Sequence, residues 1–116
     1  MSAPVSLSLT DIAQAQLDAY NAQDLDAYCS FFTEDLIVSD LNGAVTTQGI
    51  AAFHAKYAQV FADFPENKVE LLGRIVLGNT VIDHERVIRK PGGDQFQVGA
   101  IYTFAGGKIA RVDFVK

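Results

Sequence analysis

The second half of the chain is a series of apolar, β-branched segments separated by short glycine-containing turns, and this pattern restricts the fold more than any other. We predict strands at residues 67–77, 80–89, 95–105 and 108–115. The turns between them are Gly78-Asn79, Pro91-Gly92-Gly93 and Gly106-Gly107. Because turns this short join only antiparallel neighbours, the segments form a meander of consecutive hairpins.

The first half of the chain has apolar residues at helical spacing. This periodicity predicts helices at residues 9–22 and 50–62, and Pro65 ends the helical half. Asp11 and Gln14 are placed to form a capping box at the start of the first helix. A shorter helix follows its cap, Asp24, and carries four large apolar side chains: Leu25, Tyr28, Phe31 and Phe32.

Two short strands are predicted between the second and third helices, at residues 36–40 and 45–47. The turn between them is Leu41-Asn42-Gly43, in which we expect Gly43 to supply a positive φ.

Helices followed by a meander define an α+β fold rather than a βαβ fold. The length of 116 residues fits one domain, residues 1–116. Long strands twist, so the sheet has a concave face that three helices cover only in part. We therefore predict a cone of three N-terminal helices packed on a curved, mostly antiparallel sheet, with one apolar pocket at its open end.

The composition excludes several classes of function. The net charge of −5 disfavours nucleic acid and anionic membranes as partners, since both select basic surfaces. No apolar run approaches the roughly 20 residues that span a bilayer, and no signal peptide is visible, so we expect a cytoplasmic protein. Cys29 is the only cysteine and the histidines have no metal-ligand spacing, so we predict no disulfide, metal or cofactor.

Local motifs along nearly the whole chain carry a family resemblance. They lie at residues 20–27, 32–35, 38–43, 49–53 and 107–112. In these motifs and in the order of its elements the chain resembles the nuclear transport factor 2-like superfamily, and within it the SnoaL-like polyketide cyclases and the ketosteroid isomerases. The resemblance implies a cystatin-like α+β barrel. It does not specify a reaction, because this fold hosts cyclases, isomerases, hydrolases, dehydratases and plain binding modules.

Asp40 is the most informative carboxylate in the sequence. It ends the first predicted strand just before a glycine turn, which is the place that the resemblance assigns to the general base of ketosteroid isomerases. At the mouth of an apolar pocket, desolvation would raise the pKa of this carboxyl and make it a better base. The alternative is an aspartate that initiates the turn by bonding its own backbone.

The same resemblance indicates that the isomerase oxyanion hole is lost. Its tyrosine position falls on Gln16 and its protonated-aspartate position falls near Ala100, and neither residue can do the same work. Tyr57, Tyr102 or His84 would then donate to a developing oxyanion. For Tyr57, as for Tyr20, packing in the core is the alternative.

The strand at residues 80–89 leaves one alternative open. Alternation places Asp83 and Glu85 on one face and His84 on the other, and the turn pairs Arg74 with Asp83. The neighbouring isoleucines favour His84 on the apolar side, whereas the resemblance places the two acids inward. A bulge of one residue exchanges the two faces. In the pocket, His84 would act as an acid or base near neutral pH.

The predicted function is that of a small-molecule pocket protein. One possibility is a cofactor-independent isomerase, cyclase or lyase that uses Asp40, Tyr57 and His84 on a hydrophobic carbonyl compound. The other is a non-catalytic ligand-binding or dimerisation module. Further pocket residues are expected to be Gln16, Tyr20, Phe32, Phe53, Val98, Ala100, Tyr102, Val112 and Phe114. The resemblance also implies a homodimer through the outer sheet face, which carries Gln97, Gly99, Ile101 and Thr103.

Overall fold

The computed structural model describes residues 8–116 and has the predicted α+β architecture. The helices are α1 (Leu9–Asn21), α2 (Leu25–Ser30) and α3 (Ile50–Asp63). The strands are β1 (Phe32–Asp40), β2 (Val45–Gln48), β3 (Lys68–Leu77), β4 (Thr80–Ile88), β5 (Gln95–Ala105) and β6 (Lys108–Val115). Within residues 8–116, none of these helices has the length and apolarity needed to cross a membrane.

The strands form one curved, unclosed sheet in the order β2-β1-β6-β5-β4-β3. The meander from β3 to β6 is confirmed, because each of these strands pairs antiparallel with the next. β1 pairs parallel with β6, which brings the end of β1 beside the end of the chain. Contacts of α1 and α3 with β1, β3 and β4 place the helices on one face of the sheet, where the core lies.

Two predicted details at the helix ends are wrong. The capping box of α1 is formed by Ser8 and Asp11, not by Asp11 and Gln14, because the helix begins a few residues before the predicted box. Phe32 belongs to β1 rather than to the second helix. α2 stops at Ser30, and Phe32 pairs with Ile109 of β6, so sheet pairing overrides the local helical pattern. The predicted cap at Asp24 is confirmed by its bond from the Ala27 amide.

The turn after β1 also differs from its predicted form. The positive φ falls on Asn42, at 56°, and not on Gly43. Glycine at position 43 relieves a tight contact instead, since a Cβ built there would lie 3.2 Å from the Cβ of Asp40. The Gly43 amide donates to the Asp40 carbonyl at 2.9 Å, so the turn holds Asp40 at the end of its strand.

An aromatic cluster joins the three helices to the sheet. The Tyr28 ring lies 5.4 Å from that of Tyr20, 5.5 Å from that of Phe53 and 5.2 Å from that of Tyr57. Phe53 in turn contacts Phe32 of β1, with ring centroids 4.5 Å apart. These edge-to-face and stacked pairs add to the burial energy and fix one wall of the space above the sheet.

Candidate functional site

A cavity of about 300 Å³ lies between the helices and the inner face of the sheet. Its lining includes predicted residues from α1, α3 and the sheet: Gln16, Tyr20, Asp40, Tyr57, Val98, Tyr102 and Phe114. The exposed lining residues form what we call the mouth: Asp40, Thr46, Lys56, Phe96 and Lys116. Most of the remaining lining is buried and aromatic or aliphatic, as in pockets for small organic molecules.

Four residues predicted for the pocket do not line it. Phe32, Phe53, Ala100 and Val112 are at most 3% exposed and belong to the core cluster. Their direction was correct, since they lie on the inner side of the fold. They pack within the core between the helices and the sheet and do not face the open space.

β4 directs its acids to the inner side of the fold and its histidine to the outside, and of the two acids Glu85 lines the cavity. Asp83 and Glu85 are buried, whereas His84 is exposed and its Nε2 lies 2.6 Å from Oε1 of Gln97. The expected pocket role of His84 is therefore corrected. The register from β4 to β5 is continuous, and the bulge falls on β3 between Leu71 and Gly73, so nothing rotates His84 inward.

Glu85 is the buried acid of the cavity. Its side chain lines the space while the residue is only 5% exposed. Burial raises the pKa of Glu85 from 4.5 to about 8, and the negative charge of Asp83 contributes to the increase. The positive charge of Arg74 acts in the opposite direction and lowers this pKa. Glu85 is thus protonated at neutral pH, and within residues 8–116 no group hydrogen-bonds to its carboxyl.

Asp83, the neighbouring acid, is held in an ion pair. Its two carboxylate oxygens accept bonds from Nε and Nη2 of Arg74 at 2.7 and 2.9 Å. Asp83 is fully buried, and the same guanidinium donates to Oε1 of Gln14 at 3.1 Å. This bidentate pair confirms the predicted register and occupies the Asp83 carboxylate, which leaves Glu85 as the acid available to a ligand.

Asp40 lies at the mouth rather than in a desolvated site. It lines the cavity but is exposed, so the predicted burial of this carboxylate is wrong. Residues 41–46, which follow it, are exposed as well. Lys56 of α3 also lies at the mouth, where burial and the charge of Lys116 lower its pKa and Asp40 raises it. Asp40 and Glu85 are separated across the sheet by β6 and β5.

Two tyrosines supply hydroxyl groups beside Glu85. Burial raises the pKa of Tyr57 and of Tyr102, so both phenols remain protonated. The amide of Gln16 donates to the Tyr102 oxygen at 3.2 Å. Because that bond uses the oxygen as an acceptor, the Tyr102 proton is left to donate elsewhere.

The sequence contains a pattern that places Glu85 on one of two faces of its strand. Val81, Asp83, Glu85 and Val87 alternate with His84 and Arg86, which is the pattern of a half-buried strand. Because Ile82 and Ile88 flank His84 and Arg86 in the same way, the pattern alone does not decide which face is buried. In the part of the chain that the structure describes, no three His, Cys, Asp or Glu side chains come together as metal ligands.

Comparisons with known proteins agree with this architecture. The profile of the SnoaL-like domain matches residues 13–112. A cystatin-fold protein from Novosphingobium aromaticivorans is 33% identical, with 96% of this chain and 100% of that chain covered and a TM-score of 0.89. A Sinorhizobium meliloti protein with the provisional name polyketide cyclase is 27% identical, covering 90% and 94% of the two chains with a TM-score of 0.77.

A SnoaL-like protein of unknown function from Burkholderia thailandensis shares the fold at 17% identity, with 97% and 98% of the two chains covered and a TM-score of 0.79. No curated protein matches the chain at a significant level. The family profile spans most of the sequence, and it agrees with the resemblance seen in the motifs. The chain therefore belongs to the SnoaL-like domain family of the nuclear transport factor 2-like superfamily.

Proposed function

We propose that the protein binds a hydrophobic carbonyl compound and catalyses proton transfer on it without a cofactor, as an isomerase or cyclase does. The observation that carries this proposal is Glu85, a buried carboxyl that is neutral at pH 7 and lies in an apolar cavity with no partner among the described residues. Perturbed carboxyl groups of this kind are concentrated at functional sites.

The proposed chemistry divides the work between the two carboxyl groups. Asp40, at the mouth, takes a proton from the carbon next to the carbonyl, and the electron pair of that C–H bond forms the enolate. The O–H of Glu85 hydrogen-bonds to the enolate oxygen, which a carboxylic acid can do only while it is neutral. Return of the proton to a different carbon completes an isomerisation. In a ring closure the enolate carbon instead attacks a second carbonyl carbon of the same molecule, and the proton goes to the alkoxide oxygen that forms.

The cavity contains substitutes for the two donors that the isomerase resemblance places at Gln16 and Ala100. Gln16 holds the hydroxyl of Tyr102, so a phenol is present beside the expected position. Ala100 pairs with Asp83, and Glu85 is the next inward residue of that strand. The cavity lining therefore contains both a phenol and a neutral carboxyl, on adjacent strands but four residues apart in register, since Tyr102 pairs with Val81 and Glu85 with Val98.

Hydrogen–deuterium exchange at the acidic carbon of 2-tetralone tests this chemistry. The protein is expected to accelerate exchange in D₂O at pH 7, followed by NMR. Glu85→Leu, which removes the donor and suits its apolar neighbours, should lower the rate by about 10²–10³-fold, the usual loss for one oxyanion donor. Asp40→Asn should abolish the acceleration, since it removes the base.

Glu70→Gln is the matched control, because Glu70 is exposed and pairs with Arg86 outside the cavity. It should leave the exchange rate unchanged. If 2-tetralone binds to the protein but exchange is not accelerated, the protein is a non-catalytic binding module. Equal rates in the protein and in Glu85→Leu would remove Glu85 from the mechanism.

We also propose that two copies associate through the outer sheet face. Supporting this, Ile75, Ile82 and Ile101 form one row across β3, β4 and β5 on that face. Ile75 is 56% exposed, and the other two are half-buried. An apolar row framed by polar groups such as His84 and Gln97 is the usual composition of a protein interface.

Light scattering after gel filtration tests the association. The protein is expected to have the mass of two chains, and Ile101→Lys should reduce it to one because a charge would be buried at the centre of the interface. Leu41→Lys is the control, since Leu41 is 44% exposed on the turn after β1. A single-chain mass for the unaltered protein would contradict this proposal.

A further inference from the structure

Arg89 lines the cavity next to the mouth residue Phe96 and is held between two aromatic rings. Its guanidinium carbon lies 4.7 Å from the ring centroid of Phe64 and 5.2 Å from that of Phe96. Both phenylalanines are more than one third exposed, at 37% and 41%. Stacking between two rings restrains the guanidinium plane. Arg89 also reaches the Tyr20 hydroxyl, where its charge and a hydrogen bond oppose the rise in the pKa of Tyr20 that burial causes. Because a guanidinium has five N–H groups, the others are left for a ligand.

Arg89 differs from the other arginines in having no acidic partner. Arg74, Arg86 and Arg111 each form an ion pair with an aspartate or glutamate. Within residues 8–116, no carboxylate lies within ion-pair distance of Arg89, although it lines the cavity. A half-buried guanidinium that stays unpaired in an acidic protein is available for an anion from outside.

The surroundings of Arg89 add to this positive character. Lys56 and Lys116 line the same cavity, although the whole chain has a net charge of −5. Of the two carboxyl groups in the lining, Glu85 is neutral at pH 7, which leaves Asp40 as the opposing charge. The cationic side chains are therefore concentrated at the mouth, while the interior is apolar.

We propose that the natural ligand is an amphiphilic carboxylic acid whose carboxylate binds Arg89 while its carbonyl end reaches Glu85. The proposal rests on the function proposed above. Glu85, Val87 and Arg89 lie at spacing two along one face of the chain, and all three line the cavity. Four residues of strand span about 13 Å, so the carbonyl and the carboxylate of the ligand should be separated by about that length.

Displacement of the neutral fluorescent probe N-phenyl-1-naphthylamine tests the carboxylate site. Decanoate, whose extended chain matches the span, and 1-decanol, its uncharged counterpart, are titrated against the probe at pH 7. Arg89→Gln should weaken decanoate binding by about 10- to 100-fold, as expected for loss of a charged hydrogen-bond pair. Binding of decanol and of the probe should change by less than about threefold.

Arg86→Gln is the matched control, because Arg86 lies near Arg89 on the same segment but on the outer face. It should leave the affinity for decanoate unchanged. Three outcomes would overturn the proposal: unchanged decanoate binding in Arg89→Gln, an equal loss of decanoate and decanol binding, or an equal effect of Arg86→Gln. Failure of the unaltered protein to bind the probe would overturn it as well.

The 2-tetralone experiment separates this proposal from the proposed function. 2-Tetralone carries no anionic group, so its exchange by the unaltered protein tests Asp40 and Glu85 without involving a carboxylate site. If the unaltered protein exchanges the protons of 2-tetralone but binds decanoate no better than 1-decanol, the carboxylate site is rejected and the catalytic proposal stands. Binding of decanoate at Arg89 without exchange of 2-tetralone in any variant would reject catalysis and leave an acid-binding site.

Discussion

Arg74→Met is expected to lower the free energy of unfolding by about 3–5 kcal/mol. The substitution removes both bonds to the Asp83 carboxylate and leaves that charge buried without a partner. The loss reports the cost of an uncompensated charge and not the net value of the ion pair. Replacing both residues, as Arg74→Met with Asp83→Leu, should therefore recover most of the stability.

Arg86→Met is the control for this measurement. Arg86 and Glu70 also join β3 to β4, but Glu70 is exposed and Arg86 is about one third exposed, so the expected loss is about 0–1 kcal/mol. Urea unfolding followed by far-ultraviolet circular dichroism measures all of these variants. Equal losses in Arg74→Met and Arg86→Met would show that burial does not distinguish the two pairs.

Glu85→Gln is expected to stabilise the protein at alkaline pH. Glu85 binds its proton more tightly in the folded protein, because its pKa is raised from 4.5 to about 8. Below pH 4.5 the carboxyl is protonated in both states and costs nothing. Between pH 4.5 and 8 the unfolded chain gains by ionising this carboxyl while the folded protein keeps it protonated, so stability falls by about 1.4 kcal/mol per pH unit. The loss reaches about 5 kcal/mol above pH 8, where the folded protein holds a buried carboxylate.

The difference between the unaltered protein and Glu85→Gln should therefore be small at pH 4 and largest at pH 9. Urea unfolding at pH 4, 7 and 9 measures it, and the variant should be the more stable protein at pH 9. Glu70→Gln, which changes an exposed acid, should show no such pH dependence. A difference that does not change with pH would mean that Glu85 is ionised in the folded protein at neutral pH.

The helices and strands could be predicted from the sequence because the patterns that define them lie within each segment. Glycine turns and alternation defined β3 to β6 to within one residue at each end, and helical spacing defined α1 and α3 equally well. Local patterns gave wrong predictions where pairing with a strand distant in the sequence determines the structure. Phe32 is drawn into β1 by Ile109, and the cap of α1 begins at Ser8, just before the first periodic residue.

The site was less predictable because burial is a property of the whole fold. Asp40 and Glu85 both lie on strands that face the cavity, and only the placement of the helices makes one exposed and the other buried. For the same reason, Phe53 and Val112 were correctly predicted to point into the fold, but they are buried in the core and do not line the cavity. Arg89 was missed because its aromatic partners, Phe64 and Phe96, are far apart in the sequence.

The protonation state of Glu85 can be measured directly by NMR. In protein labelled with ¹³C at the glutamate side-chain carboxyls, the resonance absent from Glu85→Gln identifies this residue. Its titration is expected to have a midpoint near pH 8, as burial beside Asp83 requires. A midpoint near 4.5, the ordinary value for glutamate, would contradict a neutral acid in the cavity and with it the proposed chemistry.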